Sequence, residues 1–155
     1  MDIFSHLLIN NLIFKELPRE QKLLAVAFGV LPDLISFVRV FGVDFVKKIL
    51  FYKKAPKSIY PKIVHEIYDL SHSLIVWLAV FSFLYFFNFK WLAVAYCGWG
   101  LHILIDVFTH NEKTFPTHIF WPFSKFHFTG FTWGYKAMAI NYIIMFILYW
   151  LFYFN

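Results

Sequence analysis

Charge is scarce in this sequence and cysteine scarcer. Of its 155 residues only 15% are Asp, Glu, Lys or Arg, against about 25% in an ordinary soluble domain. The single cysteine, Cys97, lies inside an apolar run, which excludes an intrachain disulfide and a thiolate metal cluster. Also missing are G-x-S-x-G, a Walker loop, H-E-x-x-H and G-x-G-x-x-G, so the nucleophile elbow, the phosphate cradle, the zincin pair and the dinucleotide fingerprint are all excluded. There is no repeat of 20–50 residues, no heptad pattern and no low-complexity tract. The apolar runs are too long for strands and lack period-two alternation.

What is present is apolar. Hydrophobic residues make up 61% of the chain, including 22 Phe, 9 Tyr and 6 Trp, more than a soluble core of this length can hide. The reading is an all-α, polytopic membrane bundle. It forms one domain over residues 1–155, with about four membrane helices and a short N-terminal helix. A disordered chain, a disulfide scaffold and an ordinary cytosolic enzyme are excluded. The net charge of +5 is read as loop Lys and Arg that set topology and meet anionic membrane lipid. No nucleic-acid partner is expected, because no basic motif with interleaved aromatics stands on a polar background.

Along the chain, the first residues do not read as a leader peptide, since the charges follow the apolar stretch. Residues 3–14 are too short to span and are interrupted by His6, Asn10 and Asn11; they predict a short helix stopped by Pro18. Residues 23–43 predict a membrane helix kinked or broken at Leu31–Pro32. Residues 44–71 hold Lys47, Lys48, Lys53, Lys54, Lys57 and Lys62 and read as a loop with a short interfacial helix. Membrane helices follow over 72–89 and 91–109, antiparallel across a turn at Asn88–Lys90. An aromatic loop over 110–135 leads to a last helix over 137–154, interrupted by Asn141.

Seven histidines in so apolar a chain are the informative oddity, because ionisable groups at membrane depth are functional candidates. His102 and Asp106 share a helix face at i,i+4, beside the small residues Ala95 and Gly98 that admit a neighbouring helix. A neutral imidazole and a carboxylate suit zinc; a helix-gluing His–Asp hydrogen bond is the alternative for this pair. Asp69 and His72 lie at i,i+3, where Asp69 or Ser71 can also serve as a helix cap. Asp33 can cap a helix fragment restarted after Pro32. His6 alone is a core or interface histidine, and His110 either extends the His102 face or starts the loop. Antiparallel packing of 72–89 and 91–109 brings Asp69, His72, Asp106 and His110 to one membrane edge. There they would repel or desolvate badly without a cation. A metal site is therefore expected. Glu66 and the loop histidines are available as acid/base groups, or as interfacial residues.

The ordered motifs are an early His6, G-x-L-P-D (Gly29 to Asp33), S-H-S-L (Ser71 to Leu74), G-x-H-x-x-x-D-x-x-T-H (Gly100 to His110) and W-P-F-S (Trp121 to Ser124). This arrangement resembles the YdjM-like membrane-bound metal-dependent hydrolases, which are distantly similar to zinc-dependent phospholipase C and the single-strand-specific zinc nucleases. The resemblance implies an all-helical His/Asp site. In it His102 and Asp106 match an H-x-x-x-D pair, Asp33 the L-P-D aspartate, His72 the histidine of T/S-H-S, and His6 more loosely an early histidine. Where many members write H-R-G-x-T-H-S, this chain has I-Y-D-L-S-H-S, with Asp69 near the missing positions.

The expectation is a metal-dependent hydrolase of a phosphoester, with a phospholipid or another phosphoester as substrate. It would use one or two zinc ions, or another divalent metal, held from among His6, Asp33, Asp69, His72, His102, Asp106 and His110. Asp33 and Glu66 are the candidate catalytic carboxylates. The competing expectations are a non-enzymatic membrane protein with a structural or transported metal, and a membrane-tethered interaction module. The lysines of 47–62, with Lys113 and Lys125, outnumber Lys90, Lys15, Arg19 and Lys22 on the other side, which predicts a site facing the cytoplasm.

Overall fold

The computed structural model describes residues 1–37, 62–112, 115–131 and 133–153. Among them the chain is all-helical, with α1 (Ile3–Ile13), α2 (Arg19–Phe37), α3 (Lys62–Ser71), α4 (Leu74–Phe86), α5 (Lys90–Thr109) and α6 (Tyr135–Tyr153). The lysine-rich part of the expected interfacial segment and the last six residues of the expected helix over 23–43 lie outside the described residues.

The centre is α5. Ala93, Ala95, Tyr96, Gly98, Gly100, His102, Ile103, Asp106 and Val107 are all buried along it, and α2 packs along its length. The small residues permit this crossing: a Cβ placed on Gly98 would run into the Ala25 carbonyl of α2, so the two backbones meet without a side chain between them. α1 lies against α2, and α4 runs back along α5 across a tight turn in which Asn88 takes φ 66°. Asn adopts this left-handed conformation more readily than other non-glycine residues.

Two departures from the sequence reading matter for the site. The helix expected over 72–89 starts at Leu74, and residues 62–71, within the stretch read as a loop with a short interfacial helix, form a helix that leads directly into it. The chain bends by 49° between α3 and α4. Ser73 makes the joint: its Oγ accepts from Val76 N at 3.3 Å and donates to the Trp121 carbonyl at 2.6 Å. The cap is therefore Ser73, not Asp69 or Ser71. The second departure is α2, which runs unbroken through Pro32. A proline lacks the N–H that would bond to the carbonyl four residues earlier.

Among the described residues two helices, α5 and α6, are long and apolar enough to cross a membrane, and the bent pair α3–α4 makes a third if it counts as one span. Within its described extent α2 carries Arg19, Glu20, Lys22 and Asp33 and does not join them. On α6 only Met145 is buried, and Ile140, Ile143, Phe146 and Trp150 stand exposed, a surface suited to hydrocarbon.

The polar interruptions of α1 and α6 find each other. Asp2 caps α1, accepting from Ser5 N at 3.0 Å, Ser5 Oγ at 2.6 Å, Trp133 Nε1 at 3.1 Å and Tyr142 OH at 2.8 Å. Asn141 donates to Ser5 Oγ at 2.9 Å, and Asn11 donates to Tyr149 OH at 2.8 Å. Burial opposes the charged form of Asp2, but these hydrogen bonds outweigh it and hold the carboxyl below its ordinary value. Its contribution to stability is thus complete above the unfolded carboxylate pKa of about 3.9 and is lost as pH falls through the lower folded value.

Two outcomes follow. Gly98→Ala separates α2 from α5 and destabilises the protein by about 1–3 kcal/mol, read as a lower melting temperature in detergent. Asp2→Ala costs about 1 kcal/mol at pH 7, and the gap in melting temperature from the unsubstituted protein narrows below pH 4.

Candidate metal centre

Four side chains from three parts of the chain converge beside the bend. His102 and Asp106 stand one turn apart on α5, His72 occupies the α3–α4 joint, and Asp33 follows Pro32 on α2. One donor atom from each lies within 4.8 Å of all the others. His72, His102 and Asp106 are 0% exposed and Asp33 is 5% exposed. The two Nε2 atoms are 3.0 Å apart. Asp106 Oδ2 lies 3.3 Å from His102 Nε2 and 3.5 Å from His72 Nε2, and Asp33 Oδ1 lies 3.8 and 3.6 Å from the same atoms.

The backbone decides which face of each ring points inward. His102 Nδ1 lies 2.8 Å from the Gly29 carbonyl, and His72 Nδ1 lies 3.0 Å from the Tyr68 carbonyl. A carbonyl only accepts, so each Nδ1 carries hydrogen and each neutral ring turns the lone pair of Nε2 toward its neighbour and the carboxylates. Asp106 Oδ2, fully buried, has no hydrogen-bond partner among the described residues. Two lone pairs and two carboxylate oxygens thus face one another with no hydrogen between them, a repulsive set unless a cation or an added ring proton joins it. Two imidazole nitrogens and two carboxylate oxygens, their rings oriented by backbone carbonyls, are a donor set that fits zinc.

A second layer grips Asp106 from the other side. Its Oδ1 accepts from the Met1 amino group at 2.6 Å, lies 3.0 Å from His6 Nε2 and accepts from Thr109 Oγ1 at 3.3 Å. The His6 ring stacks on His102 with centroids 3.8 Å apart. His110 caps α5: its Nδ1 lies 2.8 Å from Tyr68 OH and 3.4 Å from Asp106 Oδ2. Burial pushes both His6 and His110 below the ordinary histidine range despite the pull of Asp106, His110 to about 4. Both are neutral at pH 7, so neither supplies the positive charge that the carboxylates need.

The structure does not bring every candidate into this group. Asp69 lies apart, its Oδ1 2.7 Å from His118 Nδ1, and Glu66 is exposed and 3.4 Å from Lys62 Nζ. Helical geometry explains the separation. His72 is one turn on from Tyr68 and shares its inward face, and the two rings stack at 3.8 Å. Asp69 is turned about 100° away from Tyr68. The residues that shape the site without an ionisable side chain left little trace in the sequence: Gly29 through its carbonyl, and Ser71 and Ser36 through Oγ atoms 2.9 Å apart behind His72. Tyr68 and His118 stood in plain view but had no spacing to mark them.

The separation is measurable. In a sample with labelled histidines, Asp69→Asn should shift the ring resonances of His118 and leave those of His72 and His102 in place. Movement of the latter pair would place Asp69 among them.

No match to the chain was found among curated proteins or among solved structures. The profile of the family described as zinc dependent phospholipase C matches residues 5–142. That stretch holds Asp33, His72, His102 and Asp106 together with His6 and His110, and by this match the chain belongs to the zinc-dependent phospholipase C family.

Proposed function

We propose that the protein is a membrane-associated, metal-dependent hydrolase of phosphoesters, with a phospholipid as the substrate class and the site on the cytoplasmic side. The observation that carries this reading is the meeting of four buried donor atoms, from Asp33, His72, His102 and Asp106, within 4.8 Å in a chain of a zinc-dependent family. These four would hold the metal. A zinc ion bound there supplies Lewis acidity toward phosphoryl oxygens and brings the pKa of water from 15.7 toward about 7.

The chain's own residues prepare that chemistry. The Gly29 and Tyr68 carbonyls hold His102 and His72 in the tautomer that presents Nε2 inward. His6, Thr109 and the Met1 amino group anchor Oδ1 of Asp106, leaving Oδ2 for the centre. Asp33 is the least enclosed of the four, and we assign it the further task of accepting a proton from the attacking water. His6 and His110 orient Asp106 from behind rather than adding to the ligand set.

The near-complete burial of the cluster favours one competing reading, a structural metal that ties α2, α5 and the α3–α4 joint together. Purified protein decides between the two. Zinc per mole should be close to stoichiometric in the unsubstituted protein and drop at least tenfold in Asp106→Asn and His102→Ala. Phosphoester hydrolysis should be lost with it, while membrane insertion persists. Full zinc in Asp106→Asn would show the pair to be a helix-joining hydrogen bond. Zinc retained with no hydrolysis across a panel of phospholipids and soluble phosphoesters would mark the metal as structural.

A further inference from the structure

Asp106 can serve a metal only while a lone pair of Oδ2 stays unclaimed. His110 is the neighbour able to claim it. Its Nδ1 lies 3.4 Å from Oδ2, close enough for a small rotation of the ring to make a hydrogen bond. Yet Oδ2 has no hydrogen-bond partner among the described residues. The other nitrogen of the ring fixes where its hydrogen sits. Nε2 lies 3.0 Å from the Met1 amino group, which also pairs with Asp106 Oδ1 at 2.6 Å. An ammonium only donates, so Nε2 accepts and carries no hydrogen. A charged ring would set two donors against each other at that distance. The hydrogen of the neutral ring is therefore on Nδ1.

Tyr68 receives that hydrogen. Its OH lies 2.8 Å from His110 Nδ1, donates to the Phe115 carbonyl at 3.2 Å and has Thr117 Oγ1 at 3.4 Å. The direction is the same at each step: the amino group donates to His110, His110 to the Tyr68 hydroxyl, and the hydroxyl to a backbone carbonyl. A carbonyl ends the run because it cannot donate, and each bond polarises the next. Tyr68 is 1% exposed and is held by the framework of the site itself. Its ring stacks on His72 with centroids 3.8 Å apart, and its carbonyl accepts from His72 Nδ1 at 3.0 Å. One residue thus addresses two members of the cluster through separate atoms, His72 by ring and carbonyl and Asp106 by hydroxyl. Tyr68→Phe removes the hydroxyl alone.

We propose that Tyr68 is a positioning residue for the metal centre, its hydroxyl drawing the Nδ1 hydrogen of His110 away from Asp106 and so keeping Oδ2 open for the metal. Without the hydroxyl, the Nδ1 hydrogen turns to the nearby carboxylate, the stronger acceptor. A metal must then displace it before Oδ2 can bind. The assignment rests on metal binding by Asp33, His72, His102 and Asp106, and makes Tyr68 a determinant of affinity without adding it to the ligands.

The test uses the full chain in detergent micelles, with nitrogen-labelled histidines. In metal-free protein, long-range proton–nitrogen spectra should show His110 protonated at Nδ1, and the resonance of that hydrogen should move in Tyr68→Phe. Zinc titrated against a chromophoric chelator should bind Tyr68→Phe about tenfold more weakly, as for other groups that orient a ligand from behind. In His110→Ala, which has no ring hydrogen to misdirect, adding Tyr68→Phe should leave zinc affinity within about twofold. A hydroxyl that merely supports the fold would cost the same in both backgrounds, and that result overturns the proposal. So do unchanged zinc affinity in Tyr68→Phe and a His110 ring protonated at Nε2, each of which leaves the metal site itself standing. No zinc uptake by the unsubstituted protein would remove the metal site, and the role of Tyr68 with it.

Discussion

The carboxylate of Asp106 is the constraint around which the rest of the molecule is arranged. It is fully buried in α5, and an ion taken out of water costs several kcal/mol unless partners replace its hydration. Nearly every element described contributes one. α1 brings His6, with the Met1 amino group ahead of it; α5 itself brings His102, Thr109 and its cap His110; the α3–α4 joint brings His72. Asp33 of α2 adds a second negative charge to the same space. The Met1 amino group offsets one of the two buried carboxylates, and with His6 and His110 held neutral by burial the remaining negative charge calls for a further cation. The family's zinc dependence and the geometry therefore point the same way for independent reasons.

The close approach of α2 and α5 serves this centre. Glycine at position 98 lets the backbones touch at Ala25. That contact sets the depth at which Asp33 and the Gly29 carbonyl meet His102. Asn10 fills the neighbouring space: a Cβ at Gly29 would fall within its side chain. The motif G-x-L-P-D is thus one mechanical unit. Gly29 gives its carbonyl to His102, Pro32 gives its carbonyl to Ser36 Oγ at 2.6 Å, and Asp33 turns toward the cluster.

The same arrangement divides the face beyond the bend into two chemical regions. Behind Tyr68 the histidines and carboxylates are sealed from solvent. In front of it lie Asp69, His118 and Lys125, partly open and next to exposed phenylalanines. A single aromatic ring separates the buried cluster from this partly open face. The 49° bend makes that separation, because it turns α3 out of line with α4 and leaves room for the loop to fold back over Ser73.

Composition and spacing alone determined the all-helical class, the short first helix, the antiparallel turn at Asn88 and the placing of His102 and Asp106 on one helix face. His102 and Asp106 were legible because four-residue spacing places two side chains on one helix face whatever surrounds it. Antiparallel packing was expected to bring His72 to the same edge together with Asp69, and Asp33 was expected there because a buried charge must have company. Tertiary structure alone decided which neighbours joined them. Asp69 and His72 are three residues apart, yet the end of α3 at Ser71 and the turn of the backbone at Ser73 send one ring inward and leave the carboxylate to His118, a partner 49 residues away. The carbonyls of Gly29 and Tyr68 orient the histidines, and a backbone carbonyl has no letter in the sequence. Local periodicity reports only the face on which a side chain lies; its partner is set by how that face packs against elements distant along the chain.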